Sequence, residues 1–228
     1  MGLPQTTEDE ALSAEFLNRT NASRAFYAGL RDRFDPGKPL WLTEVADAAC
    51  GGNPWAGTFL DSFRYVDQLG LLAREGVQVV MHNTLESSDY SLLDENDLTP
   101  KPTYWAALLW RQLMGTVVLD PAVPADDGLR VYAHCHADTA DAVTVVAINT
   151  DRDNAHTLTL PQPAQRYTLA ASPLDSTTVE LNGTVLQLGP GDALPALTGA
   201  PIDAGDVVLD PATITFLAVA GADNSACG

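Results

Sequence analysis

The sequence predicts an α/β segment followed by an all-β segment, and three observations predict it. Over residues 8–114, stretches with apolar residues at helical spacing alternate with short apolar runs, in the order helix, strand, helix, strand, helix. From residue 129 onward the segments are short, β-prone and separated by turns such as Asn182-Gly183 and Gly189-Pro190-Gly191. Between the two textures, Asp120-Pro121 and Pro124 read as a break. The change falls within 116–128, and we take the two units as 1–118 and 119–228.

The first helix is expected over 8–34, with Phe16, Ala22, Phe26, Leu30 and Phe34 on one face and Arg24, Arg31 and Arg33 late, as the helix dipole prefers. Asp35-Pro36-Gly37 stops it. A strand follows over 39–44, carrying Leu40, Trp41, Leu42 and Thr43 and ending in Glu44. The chain then turns small and reaches Cys50-Gly51-Gly52. A buried strand that delivers an acid at its C-terminal end, before a small-residue loop, is how a parallel barrel presents catalytic groups. By spacing alone, the plainer reading is favoured, that Glu44 is simply the first polar residue after a core strand.

Residues 57–75 read as a second helix with Phe59, Leu60, Phe63, Val66 and Leu72 inward and Gly76 as its cap. The run 77–81, VQVVM, suits a strand buried on both faces. A polar loop leads to a third helix over 103–114, ended by Gly115. Two parallel strands joined by a helix need further strands beside them, and the sequence supplies none. Seven β segments follow, at 129–135, 142–148, 157–160, 167–170, 178–181, 185–188 and 213–219, the pattern of an antiparallel sandwich.

Composition excludes several functions. Twelve Lys+Arg against 30 Asp+Glu give a net charge of −18, a surface that repels nucleic acid and anionic lipid. No apolar run approaches the roughly 20 residues that span a bilayer, so no membrane insertion is expected. The first residues, MGLPQTTEDEAL, carry neither the basic nor the apolar region of a secretory signal. Cys50, Cys135 and Cys227 form no CxxC pair, and on a strand His134 and His136 face away from Cys135, so no shared metal and no cofactor are expected.

Other residues carry two readings each. Gly51 and Gly52 allow close backbone approach to a ligand and an anion-binding nest, or simply a loop turn. Tyr90 is a hydrogen-bond donor in a loop or a surface tyrosine. Asp94, Glu95 and Asp97 read as a solvated loop, with a second carboxylate as the rival. His82, at a strand end, points to a mouth or into a wall.

Several stretches together resemble glycoside hydrolase family 79, the heparanase and β-glucuronidase family. They are LWLTE with ACGG, TFLDSFRYVDQLGLLAREGVQVVMHNTL, SDYSLLDEN, PTYWAALLWRQLMGT and LRVYAHC, in order from about Lys38 to the C-terminus. The resemblance implies the last two strand–helix units of a (β/α)8 barrel followed by a β-sandwich. It implies a retaining mechanism on a glucuronide, with Glu44 as nucleophile and Cys50, Gly51 and Gly52 where backbone N–H groups bind the uronate carboxylate. Asn83 falls near a substrate-contacting position, and Tyr90 matches an active-site tyrosine. Where the family has a tyrosine before its glycine run, this chain has Ala49.

The family's general acid/base is a Glu directly after Asn, and no Asn-Glu dipeptide occurs here. A barrel of this type takes roughly 250 residues. The chain is therefore expected to be the C-terminal part of such an enzyme, to need the missing N-terminal barrel half as its partner, and to be inactive alone. A non-catalytic sugar-binding protein and a structural fragment are the rival readings. The resemblance also implies a Cys135–Cys227 disulfide, against free thiols in a reducing cytosol. The disulfide places the parent enzyme outside the cell or in another oxidising compartment.

Overall fold

Ser13 begins the first helix. In the computed structural model, which describes residues 6–48, 52–123 and 128–228, its hydroxyl accepts from the Phe16 N–H at 3.2 Å and caps α1, Ala14–Phe34. Residues 8–13 form turns, so α1 starts later than its sequence pattern suggests. Its apolar stripe also behaves differently. Phe16 and Leu17 are buried, and Phe16 meets Trp55 edge-on at 5.7 Å. Phe26 and Phe34 are 63% and 71% exposed, because only the first turns of α1 rest on the next helix.

Strand β1, Leu40–Val45, pairs in parallel with β2, Val77–His82, across the crossover helix α2, Phe59–Arg74. The register sets Trp41 beside Val79 and Leu42 beside Val80. Leu40, Leu42 and Val80 turn toward the helices. The other face holds Trp41, 56% exposed, and Met81, 48% exposed. The β-branched run of β2 is thus covered on one face, not two, because no layer lies over the second among the described residues. Gly76, at φ 76°, ends α2 as expected.

Helix α3, Pro102–Leu113, has Pro at its start, where a missing N–H costs nothing. Gly115 does not cap it. The chain passes from α3 into β3, Met114–Leu119, which pairs antiparallel with β4, Leu129–His136. A Cβ at Gly115 would lie 2.6 Å from the Cys135 carbonyl oxygen, so this close pass requires glycine. Part of the expected linker is therefore strand, and β3 runs across position 118.

The rest is antiparallel: β5 (Val143–Asn149), β6 (His156–Leu160), β7 (Ala164–Ala170), β8 (Glu180–Leu181), β9 (Thr184–Val185), β10 (Ala200–Ile202), β11 (Gly205–Leu209) and β12 (Thr213–Val219). The main sheet runs β3-β4-β5-β12-β7-β8-β9, with β10 also on β7, and β6 and β11 form a separate pair. Strand alternation splits the core in two. Tyr132, Val146, Ile148, Ile214 and Phe216 meet Phe59, Phe63, Trp105 and Leu109 of the helices. Leu129, Val131, Ala147, Leu217 and Val219 meet Leu158, Leu160, Val207 and Leu209 of the β6–β11 pair. The main sheet is therefore buried on both faces. Cys135 of β4 is disulfide-bonded to Cys227 near the C-terminus.

Candidate active site

Parallel pairing brings the C-terminal ends of β1 and β2 side by side, and the polar groups meet there. The Asn83 N–H donates to the Val45 carbonyl at 2.8 Å, extending the pairing by one step. The Asn83 side-chain amide then donates to Glu44 Oε1 at 3.3 Å. A register shift between Leu42 and Val45 accompanies this end of β1, and the Glu44 side chain is exposed to solvent. Glu44 thus stands at a strand end with one oxygen oriented by an amide.

The loop after β1 is built on Asp47. This buried carboxylate accepts from the Asn53 N–H at 2.7 Å. Asn53 Oδ1 in turn accepts from the Thr6 N–H, and Trp55 Nε1 donates to the Thr6 carbonyl, both at 2.9 Å. Burial, reinforced by nearby Asp61, raises the Asp47 pKa, while the Asn53 N–H and Arg64 oppose the shift. Beneath it the fully buried Asp61 takes Arg64 bidentately at 2.6 and 3.1 Å. Arg64 also reaches Gln68 Oε1, and Gln68 reaches Thr20 of α1. These bonds tie α2 to α1 beside the loop. Neither Asp47 nor Arg64 stands out in the sequence. The only sign is their lying just after an apolar run and inside an apolar helix.

Gly52, at φ 81°, packs against Tyr90: a Cβ there would lie 2.9 Å from Tyr90 Cδ1 and 3.1 Å from Asp47 Oδ1. The structure therefore brings Glu44 to Asn83 and Gly52 to Tyr90. Cys50 and Gly51, with Ala49, lie outside the described residues. His82 sits in the wall, its Nε2 3.0 Å from the Tyr90 carbonyl and its ring edge-on to Tyr65 of α2 at 5.2 Å. Burial lowers its pKa and pushes that of Tyr65 up to about 12, so both are held neutral near pH 7. Asp94 and Asp97 accept from the backbone N–H groups of Asn96 and Thr99, each at 2.9 Å, closing turns within their own loop. Among the described residues no group of three or more His, Cys, Asp or Glu side chains could hold a metal ion. No helix there is long and apolar enough to cross a membrane.

No protein-family profile matches the chain. It is 34% identical to heparanase of Mus musculus over 238 residues, 97% of this chain and 44% of that protein. It is 30% identical to baicalin-β-D-glucuronidase of Scutellaria baicalensis over 201 residues, 83% of this chain and 38% of that protein. The chain is related to the heparanases and β-glucuronidases of glycoside hydrolase family 79. It is also 30% identical over 220 residues to inactive heparanase-2 of Homo sapiens, 85% of this chain and 37% of that protein. The chain spans less than half the length of these curated relatives. Its fold matches 94% of its length to half of a 4-O-α-L-rhamnosyl-β-D-glucuronidase from Fusarium oxysporum, with a TM-score of 0.68 at 14% identity. An α-L-arabinofuranosidase from Thermotoga maritima matches to the same extent, also with a TM-score of 0.68.

Proposed function

We propose that this chain is the C-terminal part of a retaining β-glycosidase acting on glucuronides, with Glu44 as nucleophile. The observation that carries the reading is the Glu44–Asn83 pair at the C-terminal ends of two parallel strands. That is where a barrel presents its chemistry. On this reading residues 1–118 supply the last two strand–helix units of a (β/α)8 barrel, and residues 119–228 form a β-sandwich.

The bare face of β1–β2 supports the reading. Parallel sheets are normally covered on both sides, and two strands alone are marginal. A groove of about 440 Å³ runs between α1 and β1, lined by Thr20, Tyr27 and residues 40–45. In the proposed enzyme the missing N-terminal barrel half fills it and covers Trp41 and Met81.

The chemistry follows from the residues. The Glu44 carboxylate attacks the anomeric carbon, the bond to the leaving oxygen breaks, and a glycosyl ester forms on Glu44. Asn83 holds the attacking group in place. Gly52, with Cys50 and Gly51, offers backbone N–H groups to the uronate carboxylate, and Tyr90 borders that site. The proton for the leaving group comes from a second carboxyl about 5 Å away, supplied by the missing half. The disulfide fits folding in an oxidising compartment.

The test is hydrolysis of an aryl β-glucuronide by the full-length enzyme. Glu44→Gln should abolish turnover, and the 228-residue chain alone should show none. Wild-type rates for the variant would refute the assignment.

A further inference from the structure

Lys101 is the last residue before α3, and its backbone is fixed twice. Its N–H donates to the Leu92 carbonyl at 2.9 Å, and it precedes Pro102, which restricts its conformation. Its ammonium group lies inside the loop that carries Tyr90. Nζ is 3.3 Å from the Ser88 carbonyl, 3.0 Å from the Asp89 carbonyl and 3.1 Å from Ser91 Oγ. These are three acceptors for three ammonium protons, all drawn from residues that flank Tyr90. Among the described residues no carboxylate forms an ion pair with Lys101.

The stem is accommodated as closely as the head. Gly57 has φ 72°, and a Cβ there would lie 3.0 Å from Lys101 Cδ and 2.6 Å from the Asp89 carbonyl oxygen. Ser91 is fully buried and donates back to the Ser88 carbonyl at 2.6 Å. The Tyr90 carbonyl meets His82, and the Tyr90 ring lies on Gly52. The Tyr90 carbonyl is thus met by His82 of β2, while its neighbours Ser88, Asp89 and Ser91 are held by a cation just before α3.

We propose that Lys101 is a positioning residue: its ammonium organises residues 88–91 from within and so sets the Tyr90 ring against Gly52. Charge-assisted bonds to carbonyl oxygens are stronger than neutral ones, and removing the cation takes those donors from the Ser88 and Asp89 carbonyls and from Ser91 Oγ. The clamp itself does not depend on the proposed activity. Its effect on turnover rests on the glycosidase reading.

The test begins with hydrogen exchange of the 228-residue chain. Lys101→Met keeps the stem and removes the donors. It should raise amide exchange over residues 84–93 about tenfold or more while α2 exchanges as before. Lys101→Arg, which keeps a cation and its donors, should restore most of the protection. Unchanged exchange in Lys101→Met, or an equal rise in α2, would overturn the proposal. The second arm uses the full-length enzyme on an aryl β-glucuronide. If Lys101 acts through Tyr90, Lys101→Met added to Tyr90→Ala should lower kcat/KM no further than Tyr90→Ala alone. Additive losses would overturn the positioning role and leave the glycosidase reading intact. A wild-type enzyme with no turnover would overturn that reading and leave exchange to decide Lys101.

Discussion

Tyr132 and Asp67 show what one residue pair contributes to joining the two halves of the fold. The Tyr132 hydroxyl donates to Asp67 Oδ1 at 2.6 Å, and Arg130 reaches the same carboxylate at 3.3 Å and Asn18 at 3.2 Å. Asp67 is 1% exposed, and burial raises its pKa against the pull of Arg130 and Tyr132. Tyr132→Phe removes one partner from a buried carboxylate and should cost about 1–3 kcal/mol, read by urea denaturation. His82 and His134 give a pH signature. Burial lowers both below the ordinary imidazole value of 6.5, so the folded state favours the neutral rings. Their contribution is full above that value and is lost as pH falls through it. Urea midpoints should therefore decline below about pH 6.5, and His82→Gln should remove part of the decline.

At the scale of elements, close passes set by missing side chains matter most. Gly70 sits within α2, where a Cβ would lie 2.3 Å from the Tyr132 ring. Alanine there gains about 0.5–1 kcal/mol of helix propensity but overpacks the contact by about 1–3 kcal/mol. Gly70→Ala should therefore lower stability, seen as a reduced thermal midpoint, although Ala usually stabilises a helix. The same scale shows how much was legible in sequence. α2 and β1 follow their apolar patterns because each buries one face against the other elements. β3 hides behind Gly115, which reads as a helix cap and is instead a point of backbone contact with Cys135. β11 is five residues long and pairs only with β6, too little for periodicity to mark. At the site, Glu44 and Asn83 sit where strand ends would put them. Asp47 and Lys101 bond mainly to backbone atoms several residues away along the chain, and such bonds leave no trace in residue spacing.

Across the whole molecule, two features oppose each other. The Cys135–Cys227 bridge closes a loop across a sequence separation of 92. In the chain-entropy model its loss costs on the order of 4–5 kcal/mol. Cys227→Ser should lower the urea midpoint accordingly, and Cys135→Ser should match it. The bare face of β1–β2, with Trp41 and Met81 exposed, is instead an opening for association. The isolated chain should self-associate in sedimentation, and Trp41→Ser with Met81→Ser should shift it toward monomer. Both features fit the proposal that the chain is one half of a larger enzyme, stapled in its antiparallel part and open where a barrel would continue. The most direct test of that account is a trapping experiment on the full-length enzyme. A 2-fluoro-glucuronosyl fluoride should lose fluoride and leave a stable ester, and mass spectrometry should find the sugar on the peptide that contains Glu44. A label on any other carboxylate, or an active enzyme that carries none, would contradict it.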